Sequence, residues 1–145
     1  MYLLDTNVIS ERRRGKHADR GVIEFIDNND HLLYLPVQVI GELQSGFEAL
    51  RRRRDRAQAI RVETWLREIL HEYESRILAF DLSCAKIWGM LRGLGDQNQI
   101  AKQIASIALV HDLTVVTRNT SHFARTGVRL HNPFLADAKP PDRRN

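Results

Sequence analysis

The feature that most constrains the fold of this chain is a regular alternation of short apolar runs with longer amphipathic stretches. Tyr2–Leu4, Leu32–Leu35, Ile77–Phe80, Thr114–Thr117 and Val128–Leu130 are apolar, bounded by polar residues, and predict strands. Between them, Val37, Ile40, Leu43, Phe47 and Leu50 recur at spacings of three and four, which lines one face of a helix. Pro36 suits its first turn, where a missing N–H costs nothing. Further helices carry Ile60, Trp65, Leu66, Ile69 and Leu70; then Ala85, Trp88, Leu91 and Leu94, stopping near Gly93 and Gly95; then Ile100, Ile104, Ile107, Ala108 and His111. Such alternation predicts an α/β fold, a mostly parallel sheet with helices on both faces. Ligands in such folds sit outside the carboxyl ends of the strands, so the residues that follow each strand are where chemistry is sought.

With 145 residues, 43% of them hydrophobic, the chain has room for one genuine core. The folded domain is expected over residues 1–135, and 136–145 (ADAKPPDRRN) reads as a polar, flexible tail. No apolar run approaches the roughly 18 residues that cross a bilayer, Asp5 interrupts any secretory leader, and a single cysteine, Cys84, excludes a disulfide framework. These features predict a soluble, cytoplasmic protein. Lys plus Arg number 22 against 18 Asp plus Glu, and the excess is concentrated in Arg12-Arg13-Arg14 and Arg51-Arg52-Arg53-Arg54, with Arg56 and Arg61 beyond. Four successive helical residues sweep about 300° at roughly 100° per step, so this run cannot all face a core. It is either a solvated helix end or a patch that meets a polyanion.

Two acids stand out. Asp5 directly follows the first strand; alone, it reads as a helix cap. Glu42 is flanked by the apolar face of its helix, so its carboxylate is expected near the buried side, where acids are rare unless paired or metal-bound. Two carboxylates converging at the strand ends would repel, and a hard divalent cation relieves that repulsion. After the strand Thr114–Thr117, Asn119 offers an amide oxygen, and His122 either positions a phosphate or transfers a proton, or simply bonds backbone. His111 ends its helix and suits the helix dipole. Gly93-Leu94-Gly95 lacks the third glycine of a dinucleotide fingerprint, no P-loop is present, and Trp65 and Trp88 fall on apolar faces as packing residues.

Leu3-Leu4-Asp5-Thr6-Asn7-Val8-Ile9-Ser10-Glu11 resembles the opening of PIN-domain ribonucleases of the VapC type, the toxins of bacterial toxin–antitoxin pairs. Gly41-Glu42-Leu43 resembles their second acidic motif, and Ile104 through Asn119 their late helix and strand; His122-Phe123 and Asn132-Pro133-Phe134 fit their ending. The resemblance covers nearly the whole chain, in order. It implies a three-layer α/β/α fold with a parallel sheet of about five strands and hydrolysis of RNA phosphodiesters with Mg²⁺ or Mn²⁺. On it, Asp5 is the central metal ligand, Glu42 binds the metal directly or through water, Thr6 orients Asp5 or a water, and Asn119 stands where the family carries an acid or amide. It also implies an antitoxin partner, a homodimer, an RNA substrate such as transfer RNA, and phosphate contacts from Arg12, Arg13, Arg14, Arg51, Arg52 and Arg54.

One departure outweighs these agreements. The family places a metal-binding aspartate ten residues before the position of His111, and this chain has Ala101 there. The preferred explanation is deliberate replacement that disarms a toxin; natural loss, and substitution by Asp96, are the alternatives. The expected consequence is weakened divalent binding and an inactive enzyme. The competing function is a non-catalytic PIN-like module that binds RNA or protein. A phosphate-accepting receiver domain would need a second acid beside Asp5 and a lysine ending the last strand, and neither is evident.

Overall fold

The computed structural model describes residues 1–138. Five parallel strands form its sheet: β1 (Tyr2–Leu4), β2 (Leu33–Pro36), β3 (Ile77–Leu78), β4 (Thr114–Val116) and β5 (Leu130–His131), ordered β3-β2-β1-β4-β5. β1 is central, with Leu3 opposite Tyr34 on one side and Val115 on the other. Its neighbouring leucines are both fully buried but enter different cores. Leu4 meets α1 (Thr6–Glu11), α2 (Arg20–Asn29), α3 (Val37–Arg52) and α4 (Arg56–Glu72), while Leu3 meets α5 (Leu82–Leu91) and α6 (Gln99–His111). This is the expected parallel α/β sheet covered on both faces.

β1 matches its apolar run and β2 is shifted by one residue, while β3, β4 and β5 are shorter than their runs implied; strands this short change which helix residues are covered. At about 3.3 Å per residue, strands of this length give a sheet little more than 10 Å tall, whereas α4 extends about 25 Å. Helix ends therefore overhang the sheet. Val37, Ile60, Leu70 and Ile100, all expected on apolar faces, are exposed, and the buried positions of α3 are Val39 and Leu43. Two helices, α1 and α2, go beyond the sequence-based expectation, although Val22, Phe25 and Ile26 of α2 recur at spacings of three and four. α1 is too short to display a repeat and depends on its cap, Asp5, whose Oδ1 accepts the Thr6 N–H at 2.8 Å. No helix among the described residues is long and apolar enough to cross a membrane.

A second carboxylate pair ties the chain ends together. Glu11, only 6% exposed, accepts hydrogen bonds from the Asp19 N–H (2.8 Å) and Arg14 (3.2 Å). Asp19 caps α2 through Gly21 and Val22 and also accepts the N–H groups of Leu135 and Ala136, each at 3.1 Å. Gly21 permits this approach, since a Cβ there would collide with the Pro133 carbonyl. Residues 136–138 of the expected tail are thus bonded to the domain: Ala136 through Asp19, and Asp137 through a paired contact with Arg118. Residues 139–145 lie outside the described residues.

Burial pushes the Asp19 carboxyl up, but the N–H groups of Ala136, Leu135, Val22 and Gly21 together hold it below its ordinary value. Asp19→Ala should cost about 1–2 kcal/mol at neutral pH, the usual worth of a helix cap. A depressed folded-state pKa means this stability is complete above the ordinary aspartate range and disappears as pH falls through the lowered value. Urea unfolding of parent and variant should therefore converge in acid; a gap that persists there would contradict the assignment.

Candidate active site

Five elements deliver side chains to one cleft at the carboxyl edge of the sheet: the end of β1, the start of α1, the second turn of α3, the first turns of α6, and the segment leaving β4. The cleft measures ≈ 510 Å³ and brings together Asp5, Thr6, Glu42, Ala101, Asn119 and His122. Each was singled out in the sequence, though up to 117 positions separate them.

Asp5 is both a helix cap and a cleft residue. Its Oδ1 takes the α1 cap bond, and its Oδ2 accepts from Thr117 Oγ1 at 2.8 Å and Asn7 Nδ2 at 3.3 Å. Strand pairing explains the Thr117 contact. Leu4 is opposite Val116, and the Asp5 N–H bonds the Val116 carbonyl at 3.0 Å, so Asp5 and Thr117 leave adjacent strands side by side. Thr117 is fully buried and also accepts the Asn119 N–H at 3.0 Å; Asn7 Oδ1 accepts the Arg118 N–H at 3.0 Å. Neither Asn7 nor Thr117 was identified from sequence as a site residue. Their only signal was position, two residues past Asp5 and one past β4.

Thr6 orients Asp5 through its backbone N–H, while its own Oγ1 is buried with no hydrogen-bond partner, as is Gln99 Oε1. Lys102, also unforeseen, is buried on α6; its Nζ donates to the Gly95 carbonyl and pins the loop leading to Asn98 and Gln99 on the cleft wall.

Glu42 requires a correction. It was expected near the buried side of its helix, yet it is exposed on the cleft rim, because the core-facing residues beside it are Val39 and Leu43. Its carboxyl is nevertheless pushed above the ordinary value, first by loss of solvent and then by the charge of Asp5, against a smaller opposing pull from the nearby Thr6 hydroxyl. Ala101 presents a methyl group to the cleft, beside Ile104 and Phe123. Asp96 is outside the cleft lining, highly exposed and paired with Arg92 at 3.3 Å. Asn119 and His122 are exposed, the His122 N–H bonding the Asn119 carbonyl at 3.0 Å. His111 ends α6 as expected, exposed and away from the cleft.

The basic runs divide. Arg12 pairs with Glu72, Arg14 with Glu11 and Arg51 with Glu48. Arg13 lies over the Trp65 ring at 5.3 Å, and Arg52 and Arg54 are exposed without an ion pair among the described residues.

The cleft's donors are carboxylate, amide and hydroxyl oxygens, the kind that suits Mg²⁺ or Mn²⁺. The unpartnered Thr6 hydroxyl fits such a role or that of holding a coordinated water. Charge is the shortage: among the described residues no three His, Cys, Asp or Glu side chains are grouped to hold a metal. The set fits a weakly held cation.

Because the Glu42 pKa is raised on folding, its ionisation opposes folding as pH rises through and above the ordinary glutamate value. Glu42→Gln should unfold at a higher temperature than the parent at neutral pH and match it in acid. Equal melting temperatures across the range would refute the proposed repulsion.

The family model for the PIN domain matches residues 2–128. The VapC ribonuclease Y4jK of Sinorhizobium fredii is 34% identical over 142 residues, covering 92% of this chain and 98% of that protein. The toxin FitB of Neisseria gonorrhoeae is 34% identical over 142 residues, covering 92% and 99%. The crystal structure of FitAcB from the same organism contains a chain that superposes with a TM-score of 0.75 at 32% identity, covering 92% of this chain and 98% of that one.

Proposed function

The chain belongs to the PIN-domain family, and on that footing we propose that it is a metal-dependent endoribonuclease toxin of a toxin–antitoxin pair, disabled at position 101. The observation that carries the reading is the convergence of Asp5 and Glu42 on one cleft whose α6 side, lined by Gln99, Ile100, Ala101 and Ile104, contributes no acid. A bound Mg²⁺ or Mn²⁺ would supply Lewis acidity and an activated water at the scissile phosphate. Asp5 and Glu42 would hold it, with Asn119 as a neutral oxygen donor and Thr6 ordering a water.

This chain's residues otherwise act by position. Thr117 and Asn7 fix the Asp5 carboxylate, and His122 lies at the rim where an RNA phosphate would enter. Losing one of three carboxylates removes about one negative charge and up to two ligand oxygens, which lowers divalent affinity sharply. The exposure and Arg92 pairing of Asp96 support loss of the aspartate rather than its relocation. Whether replacement was deliberate or natural does not alter this physics.

The partners that follow are an antitoxin covering the cleft and a second copy of the chain. The exposed Leu82 and Met90 of α5 offer apolar surface for a homodimer. The second reading is a non-catalytic module that binds RNA or protein, favoured by the shortage of grouped carboxylates.

Ala101→Asp should gain cleavage of a structured RNA panel, transfer RNA included, with Mg²⁺ or Mn²⁺, and should bind Mn²⁺ more tightly than the parent. Adding Asn119→Asp should raise both further. No gain in cleavage, together with no specific Mn²⁺ site after restoration, would leave the non-catalytic module as the function.

A further inference from the structure

The cleft does not end at Glu42. Thr6 and Glu42 line it on one side and, on the other, line a groove of ≈ 350 Å³ between α1, α3 and α4. Leu43, Leu50, Val62 and Trp65 give this groove an apolar floor, and Arg13 and Arg53 stand beside them. Where α3 turns into α4, Arg51, Arg54 and Arg56 surround a further concavity of ≈ 430 Å³. From Glu42 to Arg53 the helix advances about 16 Å at 1.5 Å per residue.

Of the arginines along this path only Arg51 pairs with an acid, Glu48, among the described residues. Arg12 and Arg14 are occupied by Glu72 and Glu11, whereas Arg13, Arg53, Arg54 and Arg56 make no ion pair among the described residues, with Glu42 or any other acid. Stacking on Trp65 holds the Arg13 guanidinium over the groove without neutralising it.

We propose that this groove is the track of a single RNA strand: the nucleotide to be cut occupies the Asp5 cleft, and the strand continues along α3 with its phosphates on Arg13 and Arg53, then Arg54 and Arg56. The proposal rests on the ribonuclease reading above and adds the path by which substrate reaches the cleft. Two carboxylates repel an incoming phosphate, so binding requires positive charge just beyond them, and the groove provides it. An apolar floor with cations alongside is the arrangement that single strands use, bases against hydrocarbon and aromatic surfaces and backbone on arginines.

The test is fluorescence anisotropy of a short labelled single-stranded RNA of mixed sequence, in EDTA, titrated against the full chain over a range of salt. Arg13→Gln and the double variant Arg53→Gln/Arg56→Gln should each bind several-fold more weakly. Their slope of log affinity against log salt should fall by about 0.7 for each phosphate no longer neutralised. Arg54→Gly guards against a folding artefact: Arg54 has φ +59°, so glycine removes the cation while relieving the backbone. It should bind RNA more weakly yet unfold no sooner than the parent. Lys86→Gln, on α5 across the sheet, should leave affinity and slope unchanged.

Parental affinity and slope in the groove variants would overturn the proposal, and so would an equal loss in Lys86→Gln, which would mark a diffuse charge effect. Groove variants that keep RNA but lose a protein partner copurifying with the parent would make the groove a protein-docking surface and also overturn it. Failure of Ala101→Asp to cleave, with arginine-dependent binding intact, removes the catalytic reading and leaves the RNA track. Restored cleavage with arginine-independent binding does the reverse.

Discussion

The pairing of β1 with β4 is the constraint on which the rest of the molecule depends. It places Asp5 beside Thr117, with the backbone bond to Val116 at 3.0 Å and the hydroxyl bond to the carboxylate at 2.8 Å. The register cannot slip, because Leu3 and Leu4 are committed to opposite cores, and a one-residue shift would exchange their faces. Parallel pairing puts both strand ends on one edge, so the same packing that closes the hydrophobic core also places the cleft's central carboxylate.

The acids fall into two electrostatic classes. Glu11 and Asp19 are surrounded by donors and hold α1, α2 and the chain's last described turn in place. Glu42 shares the cleft with Asp5, with no arginine or lysine among the described residues that line it, and its proton affinity is raised first by loss of solvent and then by the Asp5 charge. Ala101 moderates this repulsion, since a third carboxylate would deepen it wherever no cation is bound. Alanine at 101 therefore suits the fold, since it adds no charge beside the two acids and favours the start of a helix.

How much was legible from sequence depends on the physical range of each signal. The strand–helix alternation, the parallel sheet and the motif residues at 5, 42, 101 and 119 could all be read, because strand endings and family motifs are local in the chain. α1 was missed because six residues are too few for a helical repeat; α2 was missed although Val22, Phe25 and Ile26 recur at the helical spacings of three and four. Thr117 and Lys102 were missed as site residues because nothing local distinguishes them. One matters through a strand neighbour 112 positions away and the other through a loop carbonyl.

By itself the sequence determined which residues can carry charge, where strands hand over to helices, and that the late helix has Ala101 at the position where the resemblance implies an acid. These follow from side-chain chemistry and short-range periodicity. Only the tertiary structure decided that Glu42 stands on an exposed rim, that Asp96 is outside the cleft, and which arginines are occupied by acids and which are left unpaired along α3. Those outcomes depend on how far short strands reach beneath long helices and on which charges meet in space, and neither is written in the local order of residues.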